Sequence, residues 1–271
     1  MYLGQISEGT DGANYFSKGL AVIQELLQGQ NEQDKLEELK GLYVQGLCSV
    51  CELYMTDLCF EPNAEQECEK CVEMAKQFYN NVPLDNWDIN LLQTLAHLRM
   101  CQCKPEEGKH LMQYVAKKVI DEGNRLKEAT EHSYSDLIMG YDFKLSTAKN
   151  LIELQMYQDA KTILEQLKDQ FDEVVDLWYL LGVCADSLGQ GDMAIKHMEK
   201  ALKIGHKVKE DGLFLKEIKE ELDSIKKRLS DAGQMPRPED LIDEDDEAWE
   251  DVVEEAIEDG AMDDDDEEMN G

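Results

Sequence analysis

The sequence predicts an all-α fold: a row of antiparallel helical hairpins, closed by a capping helix and followed by an acidic tail. Three observations predict it. Only 5 of the 271 residues are proline, so helices can run almost uninterrupted. Pairs of amphipathic segments recur at a spacing of about 34 residues, the mark of a stacked repeat. The final stretch then drops that periodicity for nearly continuous Asp and Glu.

The clearest unit is "VDLWYLLGVCADSLGQGDMAIKHMEKALKI", within 175–208. Trp178, Leu181, Gly182, Ala185, Ala194, Met198 and Ala201 fall on the W-x2-L-G-x2-Y…A…F…A pattern of the tetratricopeptide repeat, with Ala185 in place of the usual Tyr. The small residues let two helices approach closely, and the large ones fill the space between them. One repeat earlier, 141–174 places Ala148, Leu151, Ala160, Leu164 and Leu167 in the same register, and 89–122 does so with Leu95, Ala96, Gly108, Met112 and Val115. Upstream, "GANYFSKGLAVIQELL" reads as a second-helix half, with Ala13, Ser17 and Leu20 in register. The remaining unit has a long first helix from about Lys35 to Tyr54 and a second from about Asn63 to Gln77. Its turn, "TDLCFEPN", holds about six more residues than the repeat needs. After the last repeat, "LFLKEIKEELDSIKKRL" (213–229) is amphipathic and suits a cap on the open end of the stack. The expected organisation is therefore a flexible N-terminus over 1–12, a solenoid of hairpins in a right-handed superhelix over 13–230, and a largely disordered tail over 231–271.

Cys48-x-x-Cys51 stands sixteen residues before Cys68-x-x-Cys71, a spacing that zinc sites use. Zinc knuckles are tight turns, whereas both pairs here lie within helical periodicity. Cys68 and Cys71 occupy repeat positions that call for small or medium apolar side chains, a role free Cys fills. Core thiols are expected, with no metal and no cofactor; a zinc-dependent interaction module is the rival reading. The chain shows no positively charged, apolar leader and no window near the ~18 apolar residues of a membrane span. Its 8 cysteines then suit a reducing compartment, cytoplasm and nucleus.

Nothing in the sequence supports catalysis. "LGQGD" (188–192) is an interhelical turn rather than a phosphate loop, and the 5 histidines lack HExxH spacing. Binding is the expected activity. First-helix positions that line the concave face read Asn90, Gln93, Thr94 and His97, then Asp142, Ser146, Lys149 and Glu153, then Asp176, Tyr179, Val183 and Asp186. This mixed, acid-biased set with one lysine suits an extended peptide rich in Lys or Arg with hydrophobic anchors.

Charge agrees. Asp and Glu number 60 against 27 Lys and Arg, a formal net charge of −33. Residues 239–271 hold 19 of those acids and no Lys or Arg, leaving the body near −14. Such a chain repels nucleic acid and attracts basic proteins. Within the tail, Trp249, Val252, Val253, Ala256 and Ile257 recur at helical spacing, so a short amphipathic helix on binding is expected.

"ELYMTDLCFEPNAEQECEKCVEMA" (52–75) and "LLQTLAHLRMCQCKPEEGKHLM" (91–112), followed by the repeat at 175–208 and an acidic tail, resemble the eukaryotic assembly chaperones dedicated to large-subunit ribosomal protein four. The resemblance covers roughly 13–230. It implies a tetratricopeptide solenoid that captures the long internal loop of the newly made ribosomal protein. It further implies that the complex is shielded in the cytoplasm and escorted to nuclear pre-ribosomes, with an import receptor recruited through the client. A monomer without enzymatic activity is expected, with no direct contact to nucleic acid or membrane. The alternatives are a heat-shock co-chaperone, a histone-type acidic chaperone and a general tetratricopeptide scaffold. The first needs a Lys/Asn/Arg carboxylate clamp, for which only Asn90 and Lys149 have suitable chemistry.

Overall fold

The computed structural model describes residues 2–128, 139–168 and 170–237. The acidic tail from 238 onward, including the apolar run from Trp249 to Ile257, lies outside the described residues. The chain divides into two compact units, Met1–Ile163 and Leu164–Gly271, and the division falls inside helix α8 (Tyr157–Lys168). Among the described residues there are α-helices and short 3-10 turns and no strand.

The first unit begins with α1 (Tyr2–Gln5) and α2 (Gly9–Gly29), so the stretch read from sequence as a flexible N-terminus is largely helical. The cause is local: Gly4 is buried, and a Cβ there would lie 2.7 Å from the Phe16 ring, so α1 folds directly onto α2. The hairpin α3 (Gln33–Met55) and α4 (Ala64–Lys76) follows, then α5 (Ile89–Cys101) and α6 (Pro105–Glu128), then α7 (Tyr141–Glu153). The predicted repeat starts at 89 and 141 coincide with the first residues of α5 and α7. Leu92, Met112, Val115 and Val119 have no exposed surface in the α5–α6 hairpin, and each such burial contributes about 1.5–3 kcal/mol. Gly108 permits the close approach: an added Cβ would meet Met100 Cγ at 3.1 Å.

The second unit holds α9 (Val175–Ser187), α10 (Gly191–Val208) and α11 (Gly212–Asp231), the predicted cap. Trp178, Leu181, Ala185, Ala194, Met198 and Ala201 are all buried, as the repeat pattern requires. Gly182 sits where a Cβ would lie 2.9 Å from the Met198 side chain, which explains the small residue at that repeat position. Ile218, Leu222 and Ile225 form the buried stripe of α11.

Three interhelical turns share one geometry. Cys103, Gln155 and Gly189, which occupy the same repeat position, all adopt positive φ, at 56°, 61° and 75°. In each turn the left-handed residue donates its N–H three residues back, and the next residue donates five back. The pairs are Lys104 N to Arg99 O at 2.8 Å, Met156 N to Leu151 O at 2.8 Å and Gln190 N to Ala185 O at 2.9 Å. This is the Schellman closure that satisfies carbonyls left over at a helix C-terminus.

Candidate peptide-binding face

The residues predicted to line the groove divide into three environments. On α5, Asp88 caps the helix by accepting from Leu91 N at 3.1 Å. Asn90 and His97 are half-buried, whereas Gln93 and Thr94 are 9% and 2% exposed. Gln93 Nε2 donates to Ser146 Oγ at 3.1 Å and Gln93 Oε1 accepts from Thr147 Oγ1 at 2.6 Å. Thr94 Oγ1 donates to Glu52 Oε1 at 3.3 Å. Gln93 and Thr94 thus brace α5 against α7 and α3 and do not project as open contact residues. Their amide and hydroxyl are taken up by neighbouring first helices.

On α7, Asp142, Ser146, Lys149 and Glu153 are all exposed and follow one another at i, i+4, i+7 and i+11, a single helical face. The opposite face buries Thr147, Ala148 and Leu151. It also buries Lys144, whose Nζ lies 3.4 Å from Glu122 Oε2, with both side chains at most 8% exposed. Glu122 Oε1 also accepts from Met139 N at 3.2 Å, fixing the start of α7 to α6. Lys144 stands at the repeat position that Trp178 fills in the second unit. That misfit was the available sequence signal for a buried ion pair. The α7 stripe presents two carboxylates around one ammonium on a rigid helix.

In the second unit, Asp176, Tyr179, Val183 and Asp186 lie on α9 and are half-buried. Tyr179, placed by its repeat position on the concave face, is covered by α11. Its Oη donates to Glu221 Oε2 at 2.9 Å and its ring meets Phe214 edge-on at 5.5 Å. Burial, and next the bond to Glu221, hold the phenol well above its ordinary range. Asp186 is paired with Arg228. Both side chains are therefore held by the capping helix, which the position of α9 within its own repeat could not reveal.

The four cysteines with zinc-like spacing are buried free thiols on α3 and α4. Cys68 Sγ donates to the Cys51 carbonyl at 3.5 Å. Burial pushes Cys48 and Cys71 up to about 12, which keeps both thiols protonated at neutral pH. Among the described residues no three His, Cys, Asp or Glu side chains are grouped to hold a metal. A shallow cleft of about 470 Å³ involves Leu95, Arg99, Glu107 and His110. Both cations that line it, Lys76 and Arg99, are engaged: Lys76 pairs with Glu73, and Arg99 pairs with Glu69 and Glu107, its hydrogen bond holding the Glu69 carboxyl below the usual range. No helix among the described residues is long and apolar enough to cross a membrane. Two features went unread in the sequence: Phe60, 97% exposed in the α3–α4 loop, and Leu213, 76% exposed at the start of α11.

Helical hairpins in tetratricopeptide register, with an exposed acid-biased stripe on a first helix, define a helical-repeat protein. Over its matched part the chain is a homologue of proteins named assembly chaperones of rpl4. It is 33% identical over 184 residues to a Schizosaccharomyces pombe protein named "Probable assembly chaperone of rpl4", covering 67% of this chain and 49% of that protein. An Emericella nidulans protein of the same name is 23% identical over 193 residues, covering 70% and 43%. The chain thus spans about half the length or less of these curated relatives. No family model matches it. Among solved structures, the assembly chaperone of RpL4 (Acl4, residues 1–338) superposes with a TM-score of 0.58 at 24% identity, over 70% of this chain and 66% of that one. BtubC from P. vanneervenii superposes at 0.53 with 16% identity, over 96% and 94%. These superpositions show a common helical-repeat fold.

Proposed function

We propose that this protein is a dedicated, non-enzymatic chaperone of a newly made basic ribosomal protein, large-subunit protein four. It grips an extended internal loop, keeps the client soluble in the cytoplasm and accompanies it to nuclear pre-ribosomes as a monomer. An import receptor is recruited through the client. The observation that carries the reading is the exposed Asp142–Ser146–Lys149–Glu153 stripe, in a chain whose homologues are named for that client. An rRNA-binding loop off the ribosome is basic and extended, and it sticks to stray polyanions. An acidic helical face with an acidic tail neutralises it reversibly, because screened charge attraction yields to rRNA by mass action.

The heat-shock co-chaperone alternative is disfavoured by a specific placement. Lys144 is buried against Glu122, and Lys149, the one cation of the predicted groove set, shares its helical face with Asp142 and Glu153, so these side chains supply no cationic carboxylate clamp. The test is affinity capture of the tagged chain from cells with quantitative mass spectrometry. One basic large-subunit protein at near-equal stoichiometry is expected. A broad set of heat-shock proteins or histones in its place would overturn the assignment.

A further inference from the structure

Three residues join α5 to α6 and three join α7 to α8, whereas eight, 56–63, join α3 to α4. The longer connection is a braced loop. Leu58 N donates to Leu53 O, Glu61 N to Leu58 O and Ala64 N to Glu61 O, each at 3.0 Å. Leu58 is buried, and its Cδ2 would lie 4.0 Å from a Cβ at Gly9. Asp57 Oδ2 accepts from Gly9 N at 3.3 Å, which ties the loop to the start of α2. On this loop Phe60 is 97% exposed. A single exposed apolar side chain needs no explanation by itself. Here, however, a loop longer than the hairpin needs is pinned at several points and holds an aromatic ring in water. Ile6, 63% exposed, stands three residues before the Gly9 contact. A ring held in this way is a preorganised anchor for a pocket on another molecule.

Charge and position together define the partner. Residues 56–67 contain Asp57, Glu61, Glu65 and Glu67 and no Lys or Arg, and Glu8 and Asp11 lie beside Gly9 in the chain. The complementary surface is therefore basic. Glu65, just past the loop, accepts from Gln102 Nε2 at 2.8 Å at the end of α5. Burial, and next the Glu153 carboxylate, push the Cys101 thiol above its ordinary range, so the ends of α5 and α7 lie close together. The Phe60 loop thus shares one edge of the first unit with the end of the α7 stripe. We propose that this loop is a second contact for the client: Phe60 enters an apolar pocket in the client's folded, basic body while the client's extended loop lies along α7. An extended peptide has no pocket of its own, so a projecting ring is matched to a folded surface. The inference rests on the proposed function and adds to it the folded part of the partner and the side chain that engages it.

Titration of the full chain with the whole client and, separately, with the client's extended loop as a synthetic peptide tests it. Phe60→Ser should raise Kd for the whole client at least about tenfold, or about 1.4 kcal/mol, and leave Kd for the peptide unchanged. Glu61→Lys should act with the same selectivity, and Phe60→Leu should retain most of the affinity. Asp142→Lys/Glu153→Lys should weaken binding of both probes. Phe60 and Glu61 are exposed, so melting should stay at the native value in these variants. Equal affinity of Phe60→Ser for the whole client, or an equal loss for client and peptide, would overturn this proposal and leave the proposed function standing. Concentration-dependent self-association of the native chain, abolished by Phe60→Ser, would assign the ring to a second copy and overturn it as well. Binding of neither probe by the native chain would overturn the proposed function and this inference together.

Discussion

Lys144 shows how a single residue departs from its repeat and is compensated. Where Trp178 packs in the second unit, Lys144 buries an ammonium beside the Glu122 carboxylate. Removing one member of such a pair leaves a charge without its partner in a poor dielectric. Lys144→Met should therefore cost about 3–5 kcal/mol, measurable by urea denaturation, and adding Glu122→Gln should restore part of the loss. The thiols give a second residue-scale test. Cys59, Cys101 and Cys103 are exposed and should react quickly with a thiol reagent in the native protein, while Cys48, Cys51, Cys68, Cys71 and Cys184 should react only on unfolding. The pH dependence follows from the raised values. Cys48 and Cys71, pushed up to about 12, bind their protons more tightly in the folded chain than in the unfolded one, where thiols ionise near about 8.5. Their contribution to stability is fully present below about pH 8.5 and is lost as pH rises toward 12. Melting followed from pH 8 upward should show a decline that Cys48→Ala/Cys71→Ala flattens; an identical slope in that variant would contradict the assignment.

At the level of elements, the turns carry the prediction. Gly189 adopts the left-handed conformation without steric penalty, whereas Cys103 and Gln155 hold the same conformation with a side chain attached. A left-handed non-glycine residue costs about 1–2 kcal/mol, of which glycine's greater unfolded-state entropy returns about 0.5–1. Gln155→Gly should stabilise the chain by about 0.5–1 kcal/mol, and Gly189→Ala should destabilise it by a similar amount, both read as shifts in melting temperature. The elements themselves were legible because hairpin packing imposes a local pattern. Small residues at Gly182 and Gly108, and large ones at Trp178 and Met112, place helix starts at 89, 141 and 175. What a helix face meets is not local. Tyr179 and Asp186 occupy groove positions in their repeat, yet Phe214, Glu221 and Arg228 of the cap reach them from more than thirty residues away. Gln93 and Thr94 are groove positions by count but lie where α3 and α7 come close enough to take their polar atoms. On α7 the side chains of Asp142, Ser146, Lys149 and Glu153 are exposed, although Ser146 also accepts from Gln93 of α5.

For the whole molecule, the account rests on charge carried by rigid helices. The proposed function assigns the tail and the α7 stripe separate roles, because long-range charge speeds encounter and close pairing fixes affinity. Removing 239–271 should therefore slow association with the client at low salt and leave client choice unchanged, checked by stopped-flow kinetics at several ionic strengths. A truncated chain that no longer distinguished its client would assign selection to the tail. The most direct test of the central claim is the dissociation constant for purified large-subunit ribosomal protein four, measured with the native chain and with Asp142→Lys/Glu153→Lys. Both side chains are exposed, so helicity and melting should stay the same. The account predicts 1:1 binding by the native chain, weakened at least about tenfold, or about 1.4 kcal/mol, in the variant. Equal affinity in a folded variant, or no binding by the native chain, would contradict it.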